Sequence, residues 1–383
     1  MVNQIINIKK LLAVLVVSVS FSSLAMAQWS ESPSENLIIC DHSVVDPNIF
    51  SSDNSIFITY MANLDGNQQL HLRRLDQNGY SHDLGQSNQI SVLPCESYSA
   101  IFHSNSSFIV GTSETVNNNE SDVSIYKYDT QGKNMWQNAE IRFIHSGSKE
   151  TVTQIIEGTD NSLYVIITLF HTDPGSTERS KILIYKVSIS GDILWNGNPV
   201  IIENSEYDLI LPQGMCLSDG SLIIAYSAID LPFTPGNQNE FIAGDIRVQK
   251  VKTNGDIAWQ SDLVVSSGDI TMSSRLRSYQ GNDDTFYLAW HGHSSFSEES
   301  KAYVQGINSE GNMIWPAKGI QIAMNPMLKY SHPKIHGTNS DNDLVITFTT
   351  SYDKSNQIYA QMISYRGELK WGPNGVHLAT GYL

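Results

Sequence analysis

A ten-residue pattern that occurs six times along the chain restricts its possible folds more than any other feature. Each copy alternates apolar and polar residues and ends at a glycine, and successive glycines lie 53 to 64 residues apart. The copies are LHLRRLDQNG (70–79), VSIYKYDTQG (123–132), ILIYKVSISG (182–191), IRVQKVKTNG (246–255), AYVQGINSEG (302–311) and IYAQMISYRG (358–367). Five copies carry a tryptophan four residues beyond the glycine, where the first copy has Asp83. The recurrent residues are Gly79, Gly132, Gly191, Gly255, Gly311, Gly367, Trp136, Trp195, Trp259, Trp315 and Trp371.

The alternation of apolar and polar residues predicts a β-strand that leads into a tight hairpin. Upstream of each copy, a polar turn precedes a second apolar strand, as in SDNSIFITY (52–60) and SDGSLIIAY (218–226). One short strand is expected before this pair and another after the tryptophan. Each repeat therefore predicts four antiparallel strands and no helix.

Six such units predict an all-β fold, a six-bladed β-propeller with four-stranded antiparallel blades and about 53–64 residues per repeat. One blade is too small to bury its own apolar faces, whereas radial packing buries them and leaves only short edges. The predicted repeats span roughly 41–90, 91–145, 146–203, 204–266, 267–323 and 324–383, within a single domain over residues 28–383. A seven-bladed ring is the less favoured alternative, because it needs a seventh inner strand pair that the sequence does not contain.

We interpret the recurrent glycine and tryptophan as turn and packing residues rather than catalytic ones. Glycine supplies the positive φ angle that a tight hairpin needs. Large apolar side chains contribute about 1.5–3 kcal/mol each when they are buried. The tryptophans and the aromatic residues of the second strands are therefore expected to fill the space between blades; those aromatics include Tyr60, Tyr226, Trp290 and Phe348.

The pattern hYxQxhxxxGxxxWxxxGxxh resembles the repeats of uncharacterised secreted bacterial β-propeller proteins. The fifth and sixth copies match it best, through Tyr303, Gln305, Gly311, Trp315 and Gly319, and through Tyr359, Gln361, Gly367, Trp371 and Gly375. The resemblance covers essentially the whole chain after residue 27. It implies the propeller architecture and no particular activity.

The first 27 residues have the pattern of a cleaved export signal. Lys9 and Lys10 precede the apolar run Leu11–Leu24, and Ala25 and Ala27 form a small-x-small cleavage pattern. The run is short for a membrane span, and no other stretch reaches the apolar length that a transmembrane helix requires. We expect a secreted or periplasmic protein that begins at Gln28.

The charge and the cysteine count exclude some classes of partner. A formal net charge of −16 disfavours nucleic acid and anionic membranes, which proteins contact mainly through lysine and arginine. Cys40, Cys95 and Cys216 are an odd number, so at most one disulfide forms within the chain, with Cys40–Cys95 as the candidate pair. Three buried thiols are the favoured interpretation, and no cofactor is expected.

The candidate ligand site lies on the loops that join the second and third strands of each repeat. These loops differ most among the repeats and should all leave the propeller on one face. The longest, at about residues 230–244, contains two phenylalanines. The candidate residues are Asp65, Glu114, His171, Asp173, Asp230, Phe233, Phe241, His291, His293 and Asp353.

Several functions are compatible with these loops. Aromatic rings beside carboxylates suit carbohydrate, because sugar C–H faces stack on rings and hydroxyls donate to carboxylates. His291 and His293 could point to one side and hold a metal with His171 or Asp173, which is a weak candidate because such spacing is common by chance. The turns SDNS and SDGS have some calcium-loop residues but lack the remaining ligands.

No catalytic motif is present, so the favoured hypothesis is a non-enzymatic module that binds a glycan or a cell-surface protein. The alternative is an extracellular polysaccharide hydrolase or lyase that uses loop carboxylates such as Asp230 or Asp353. Fold-level analogy says where such a site would lie and leaves the ligand open.

Overall fold

A computed structural model describes residues 44–382, except 52–54, 65–66, 80–88, 91–92, 104–106, 131, 139, 173–177, 231–243, 267–270, 273–275, 294–299, 326–328 and 353–354. The described part of the chain consists of 24 strands joined by turns and loops, which confirms the all-β prediction. Its helical content is a single three-residue 3-10 turn at Trp195–Gly197, in which Asn196 has a positive φ angle. The predicted export signal and Cys40 lie outside the described residues.

The chain divides into two compact units. The first contains the described residues up to Glu96, together with Phe102–Phe108 and Tyr128–Met135. The second contains Ser97–Ile101, Ile109–Lys127 and the residues from Trp136 onward. The expectation of a single propeller domain over residues 28–383 remains a prediction.

The first unit is built on a three-stranded antiparallel sheet with the order β1-β2-β3. Its strands are β1 (Val44–Ser51), β2 (Ser55–Leu64) and β3 (Asn67–Asp76). Phe57 packs against Phe108 and Phe102 of the same unit, with ring centroids 4.5 and 5.5 Å apart. These contacts bury the Phe57 ring completely.

The remaining strands also follow the repeats. The second and third repeats give β4 (Cys95–His103), β5 (Ser107–Asn117), β6 (Glu120–Asp129), β7 (Ile141–Phe143), β8 (Ser148–Glu157), β9 (Ser162–His171), β10 (Lys181–Ser188) and β11 (Val200–Ile202). The fourth gives β12 (Asp208–Cys216), β13 (Leu222–Ile229), β14 (Gly244–Val251) and β15 (Leu263–Ser266). The last two give β16 (Thr271–Met272), β17 (Arg277–Gln280), β18 (Phe286–His293), β19 (Ser300–Ile307), β20 (Ile320–Gln321), β21 (Lys329–Thr338), β22 (Leu344–Tyr352), β23 (Ser355–Ile363) and β24 (Val376–Tyr382).

Each of these repeats forms an antiparallel meander. The sheet orders are β11-β10-β9-β8-β6-β5-β4 with β7 beside β6, β12-β13-β14-β15, β16-β18-β19-β20 with β17 beside β18, and β21-β22-β23-β24. The meanders of the second and third repeats join through one parallel pair, Ser121 and Lys149. The four-stranded repeat is therefore confirmed for four meanders, and the fifth repeat has its first strand divided into β16 and β17.

The recurrent glycines adopt the backbone conformation that the sequence predicts. All six have φ angles between 79° and 103°, a region that residues with a Cβ rarely enter. In the second unit, each glycine also lies against the tryptophan of the preceding repeat. A Cβ built on Gly311 would lie 2.8 Å from the Trp259 ring, and one on Gly367 would lie 3.1 Å from the Trp315 ring. The glycine is therefore required by the hairpin, and it also leaves room for the neighbouring indole to pack against the turn.

An indole and a lysine tie the second repeat to the third and the third repeat to the fourth. The Trp195 Nε1–H donates to the Thr253 carbonyl at 2.9 Å, and the Lys186 ammonium lies 3.5 Å from the same oxygen. Trp136 and Lys127 bond the Ile189 carbonyl in the same way, at 3.1 and 3.2 Å. The same two residue types therefore join these two pairs of successive meanders.

A buried glutamine completes the joint in the last three repeats. The Gln305 side chain is fully buried; its Oε1 accepts from the Trp315 N–H at 3.1 Å, and its Nε2 donates to the Trp315 carbonyl at 3.2 Å. Gln361 makes the same bond to the Trp371 N–H. A buried amide that satisfies both donors and acceptors fixes the turn in which the tryptophan lies.

The core is formed by the second and third strands of the meanders. The four strand aromatics expected to be core residues are all buried, with at most 5% of their surface exposed. Cys95 and Cys216 are buried as well. No helix within the described residues has the length and apolar character that crossing a membrane requires.

Candidate functional site

The first strands of three consecutive meanders in the second unit converge on a cavity of about 650 Å³. Strands β8, β12 and β17, with the turns that follow β8 and β12, supply its walls. The lining residues on which the argument depends are Gln154, Asn161, Ser218, Ser278, Tyr279 and Gln280. This is a volume that a mono- or disaccharide could occupy.

Amide and hydroxyl groups predominate among the polar groups of the cavity wall. The Gln154 side chain exchanges two hydrogen bonds with the backbone of Gly214, at 2.7 and 3.3 Å, and thereby joins β8 to β12. The Gln280 Nε2 donates to the Cys216 carbonyl at 3.1 Å and joins β17 to β12. Such groups both donate and accept hydrogen bonds, as sugar hydroxyls require.

Exposed basic side chains continue from the cavity along β17 and the neighbouring first strand β21. We refer to Arg277, Lys329, His332 and Lys334 as the basic strip; all four side chains are exposed. The burial of the neighbouring His336 and its proximity to Lys334 lower the pKa of that imidazole, which is not part of the strip. Lys329 pairs with Ser351 near the end of β22, whereas Arg277 and Lys334 pair with Ala289 and Thr347 in the middle of their second strands.

Two acidic residues of the same first strands point inward. Glu150 of β8 is completely buried, and its Oε2 accepts from the Val123 N–H at 3.1 Å. Asp208 of β12 is also buried and accepts from the Ser180 N–H, with Arg179 3.4 Å away. These carboxylates therefore accept hydrogen bonds from within the protein, whereas Glu157, at the end of β8, is exposed and lines the cavity.

Strand register places four residues at equivalent positions of successive sheets. Gln154 pairs with Ile166, Gln213 with Ala225, Arg277 with Ala289 and Lys334 with Thr347, and each partner stands at the same distance from the preceding turn. This first-strand position thus carries a neutral glutamine in the third and fourth repeats and a cationic residue in the fifth and sixth.

A β-bulge directs His332 outward. In β21 and in β12 the register shifts at a residue with positive φ that precedes a proline: His332 has φ 51° and Leu211 has φ 53°. Non-glycine residues in this region are strained, so the surrounding sheet has to maintain them. The bulge brings the His332 ring to 5.8 Å from the His291 ring.

Ten residues were proposed from the sequence for ligand binding. The structure describes both the backbone and the side chain of four of them. Asp230 is exposed after β13, and His291 is buried beside the basic strip. His171 ends β9, where its Nε2 lies 3.0 Å from Glu178. Glu114 differs from the expectation of a loop residue, because it lies within β5, is 1% exposed and accepts from the Tyr126 hydroxyl at 2.7 Å.

The other proposed residues lie beyond the described parts of the chain, or only their backbone is described. Asp65, Asp173, Phe233, Phe241 and Asp353 belong to the first group, and His293 belongs to the second. The described residues contain no group of three or more His, Cys, Asp or Glu side chains placed to hold a metal ion.

Sequence reasoning missed an acid–imidazole–phenol chain in which the acid and the phenol are buried and the imidazole is partly exposed. The His145 Nδ1 lies 2.5 Å from Glu150, and its Nε2 lies 3.2 Å from the Tyr185 hydroxyl. Burial, together with the nearby Glu150 charge, raises the pKa of Tyr185 to about 12. Both ring nitrogens of His145 are thus engaged within the protein, so we interpret the chain as a structural tie between strands.

The SDGS turn that resembled a calcium loop contacts a lysine, as does the equivalent turn of the third repeat, whereas most of the SDNS turn lies outside the described residues. Lys186 contacts Asp160 at 2.8 Å, and Lys250 contacts the equivalent Asp219 at 3.3 Å. Burial by itself would raise the pKa of Asp160, but hydrogen bonds from Lys186 and Ser162 outweigh it and hold the pKa below its usual range. A lysine on the third strand of the repeat thus occupies the position that a cation would take.

Comparison with solved structures shows which proteins have a similar fold. No protein-family model and no curated protein sequence matches the chain. The chain is similar to the solved structure of an ulvan lyase of polysaccharide lyase family PL25, with a TM-score of 0.61 and 8% identity over 89% of this chain and 85% of that one. A second structure of a PL25 ulvan lyase, bound to -[GlcA(1-4)Rha3S]-, gives a TM-score of 0.59 with the same identity and coverage. At this identity the similarity concerns the fold alone.

Proposed function

We propose that this protein is an exported six-bladed β-propeller that binds a polysaccharide at the cavity formed by β8, β12 and β17. The observation that carries the proposal is the lining of that cavity, where amide and hydroxyl side chains of three first strands surround a volume of about 650 Å³. The fold shared with a polysaccharide lyase supports a carbohydrate ligand. The propeller itself is inferred from the six repeats and their meanders.

Binding is favoured over catalysis because the buried acid–base groups near the first strands bond to one another. His145 uses both ring nitrogens, and Glu114 accepts from Thr112 and Tyr126. A general base has to reach the proton that it removes from the substrate. These groups would have to break internal bonds in order to do so.

A thermal-shift screen of residues 28–383 against soluble polysaccharides tests the proposal. A ligand at 100 times its dissociation constant adds about 2.7 kcal/mol to the free energy of unfolding, which such a screen detects. We expect one class of polysaccharide to raise the melting temperature. A screen with no response would contradict glycan binding.

Substitution within the cavity locates the site. Ser278→Tyr places a ring in the cavity and should weaken the binding of the identified polysaccharide at least tenfold by calorimetry. Ser190→Tyr, at an exposed turn, is the matched control and should leave affinity unchanged. Equal affinities in both variants would place the ligand elsewhere.

The enzymatic alternative is tested with the same polysaccharide. A lyase would release unsaturated uronate ends that absorb ultraviolet light, and a hydrolase would release reducing ends. We expect neither product. Turnover that is lost in Asp230→Asn while binding is retained would establish the alternative.

A further inference from the structure

We propose that the ligand is an anionic polysaccharide and that Arg277 and Lys334 bind its carboxylate or sulfate groups. The inference rests on the proposed function, since it names the class of polysaccharide that the same site receives. It is carried by the placement of charge on the first strands, which is the reverse of the charge of the whole chain.

The chain has 39 acidic and 23 basic residues, so an exposed charge is more often negative than positive. On β8, β12, β17 and β21 the order is reversed, because Arg277, Lys329 and Lys334 are exposed while Glu150 and Asp208 are buried. Glu157, at the end of β8, is the exposed acid of these strands, and it lines the cavity. Three exposed cations therefore stand against one exposed carboxylate on these strands, in an otherwise acidic protein.

The two principal cations are held by regular secondary structure. Arg277 pairs with Ala289 of β18, and Lys334 pairs with Thr347 of β22. Tyr279 of β17 approaches β21, where a Cβ built on Gly337 would lie 3.5 Å from the Tyr279 hydroxyl. The two strands are therefore neighbours, and each carries one exposed cation of the strip.

Arginine and lysine on such a surface suit a repeating anion. Guanidinium binds carboxylate or sulfate through two parallel hydrogen bonds, and ammonium binds as a compact charge. Ser278 and Tyr279, which follow Arg277 on β17, line the cavity, so a saccharide could place its ring hydroxyls in the cavity and its anionic group on the strip. A neutral polysaccharide would leave the basic strip unused.

Binding measurements with chemically matched polymers test the inference. Dextran sulfate against dextran probes sulfate, and polygalacturonate against its fully methyl-esterified form probes carboxylate. We expect at least one charged polymer to bind at least tenfold more tightly than its neutral match, and the better of the two identifies the anionic group.

Charge-matched variants locate the contact. The double variant Arg277→Gln, Lys334→Gln should weaken binding of the charged polymer at least tenfold. The control Lys252→Gln, Lys370→Gln removes two exposed lysines from turns and should change affinity less than twofold. Melting temperatures of both variants verify that they are folded.

The outcomes separate this inference from the proposed function. Equal binding of neutral and charged polymers would overturn the anionic ligand while glycan binding stands. Equal losses in the two double variants would also overturn it, because general charge would then explain the affinity. Binding of no polymer at all would overturn the proposed function itself.

Discussion

At the scale of single residues, the glycine that ends each repeat is required for two separate reasons. Its φ angle is positive, and in the second unit a Cβ would lie between 2.8 and 3.4 Å from the indole of the preceding repeat. The first reason follows from hairpin chemistry and was predictable. The second involves a residue more than fifty positions away and depends on how the meanders pack.

Alanine substitution separates the two reasons. Gly311→Ala places a Cβ 2.8 Å from Trp259 at φ 88°, whereas Gly372→Ala at φ 78° meets no atom within 4 Å. We expect the control to lose about 1–2 kcal/mol of unfolding free energy from backbone strain. Gly311→Ala should lose a further amount of about 1–3 kcal/mol through overpacking.

Urea denaturation of the two variants measures this difference. Equal decreases in unfolding free energy would mean that the Trp259 ring moves away from the new Cβ at no energetic cost. The view that Gly311 is required for the packing of this indole would then be wrong.

At the scale of elements, an ion pair ties the β8–β9 turn to the third strand of the same meander. Lys186 of β10 is almost buried, with 5% of its side chain exposed, and it contacts both Asp160 and the carbonyl of Thr253. Its ammonium also lies 5.3 Å from the centre of the Tyr164 ring. The same lysine therefore links a turn, a strand and the following repeat.

This ion pair predicts a pH dependence of stability. The folded-state pKa of Asp160 lies below its unfolded value, which is about 3.9. The carboxylate therefore stabilises the fold above the unfolded pKa, and this contribution is lost as the pH falls through the lower folded pKa. In Asp160→Asn, the unfolding free energy should decrease less between about pH 5 and pH 3 than in the wild type.

Asp256→Asn is the control, because its carboxylate accepts from Asn254 rather than from a lysine. Chemical denaturation at each pH gives the comparison. A wild type and Asp160→Asn with parallel pH profiles would show that the Lys186 contact contributes nothing; the effect should be modest, since more than half of the Asp160 side chain is exposed.

At the scale of the whole molecule, net charge and local charge oppose each other. A chain with a formal charge of −16 repels itself, and this repulsion destabilises the compact state. Salt screens the repulsion, because the Debye length falls from about 30 Å at 0.01 M to about 8 Å at 0.15 M. The same screening weakens the attraction of the basic strip for a polyanion.

We therefore expect the melting temperature at pH 7.5 to rise between about 0.01 and 0.15 M NaCl, while affinity for a charged polysaccharide falls. Near pH 5, close to the isoelectric point of about 5.0, the effect on the melting temperature should disappear. Differential scanning calorimetry at the two pH values checks this. A melting temperature that falls with salt at pH 7.5 would indicate that attractive ion pairs dominate.

The periodic part of the fold was predictable from sequence. Strand positions, the glycine turns and the buried aromatics all follow from alternation and turn chemistry, which act over a few residues. The role of Gln305 was not predictable, because its bonds to the Trp315 turn depend on where a strand pairs with the following hairpin. The burial of Glu114 was missed for the same reason, since its position in β5 depends on strand length.

The candidate site was less accessible to sequence reasoning than the fold. Loop composition indicated one face and included His291, which does lie against the basic strip. Arg277 and Lys334 were not singled out, because isolated basic residues in strands have no motif. Arg277 and Lys334 are recognised as equivalent only from strand register. It pairs them with Ala289 and Thr347, which occupy the same position in β18 and β22.

The sequence by itself determined the repeat, the all-β class and the residues at each turn, because hydrophobic alternation and glycine's φ angle are local properties. Only the tertiary structure decided which carboxylates face inward, which cations share a surface and where a cavity opens. These depend on packing between strands that lie fifty or more residues apart. Local chemistry repeats along the chain, whereas the site is formed where the repeats differ.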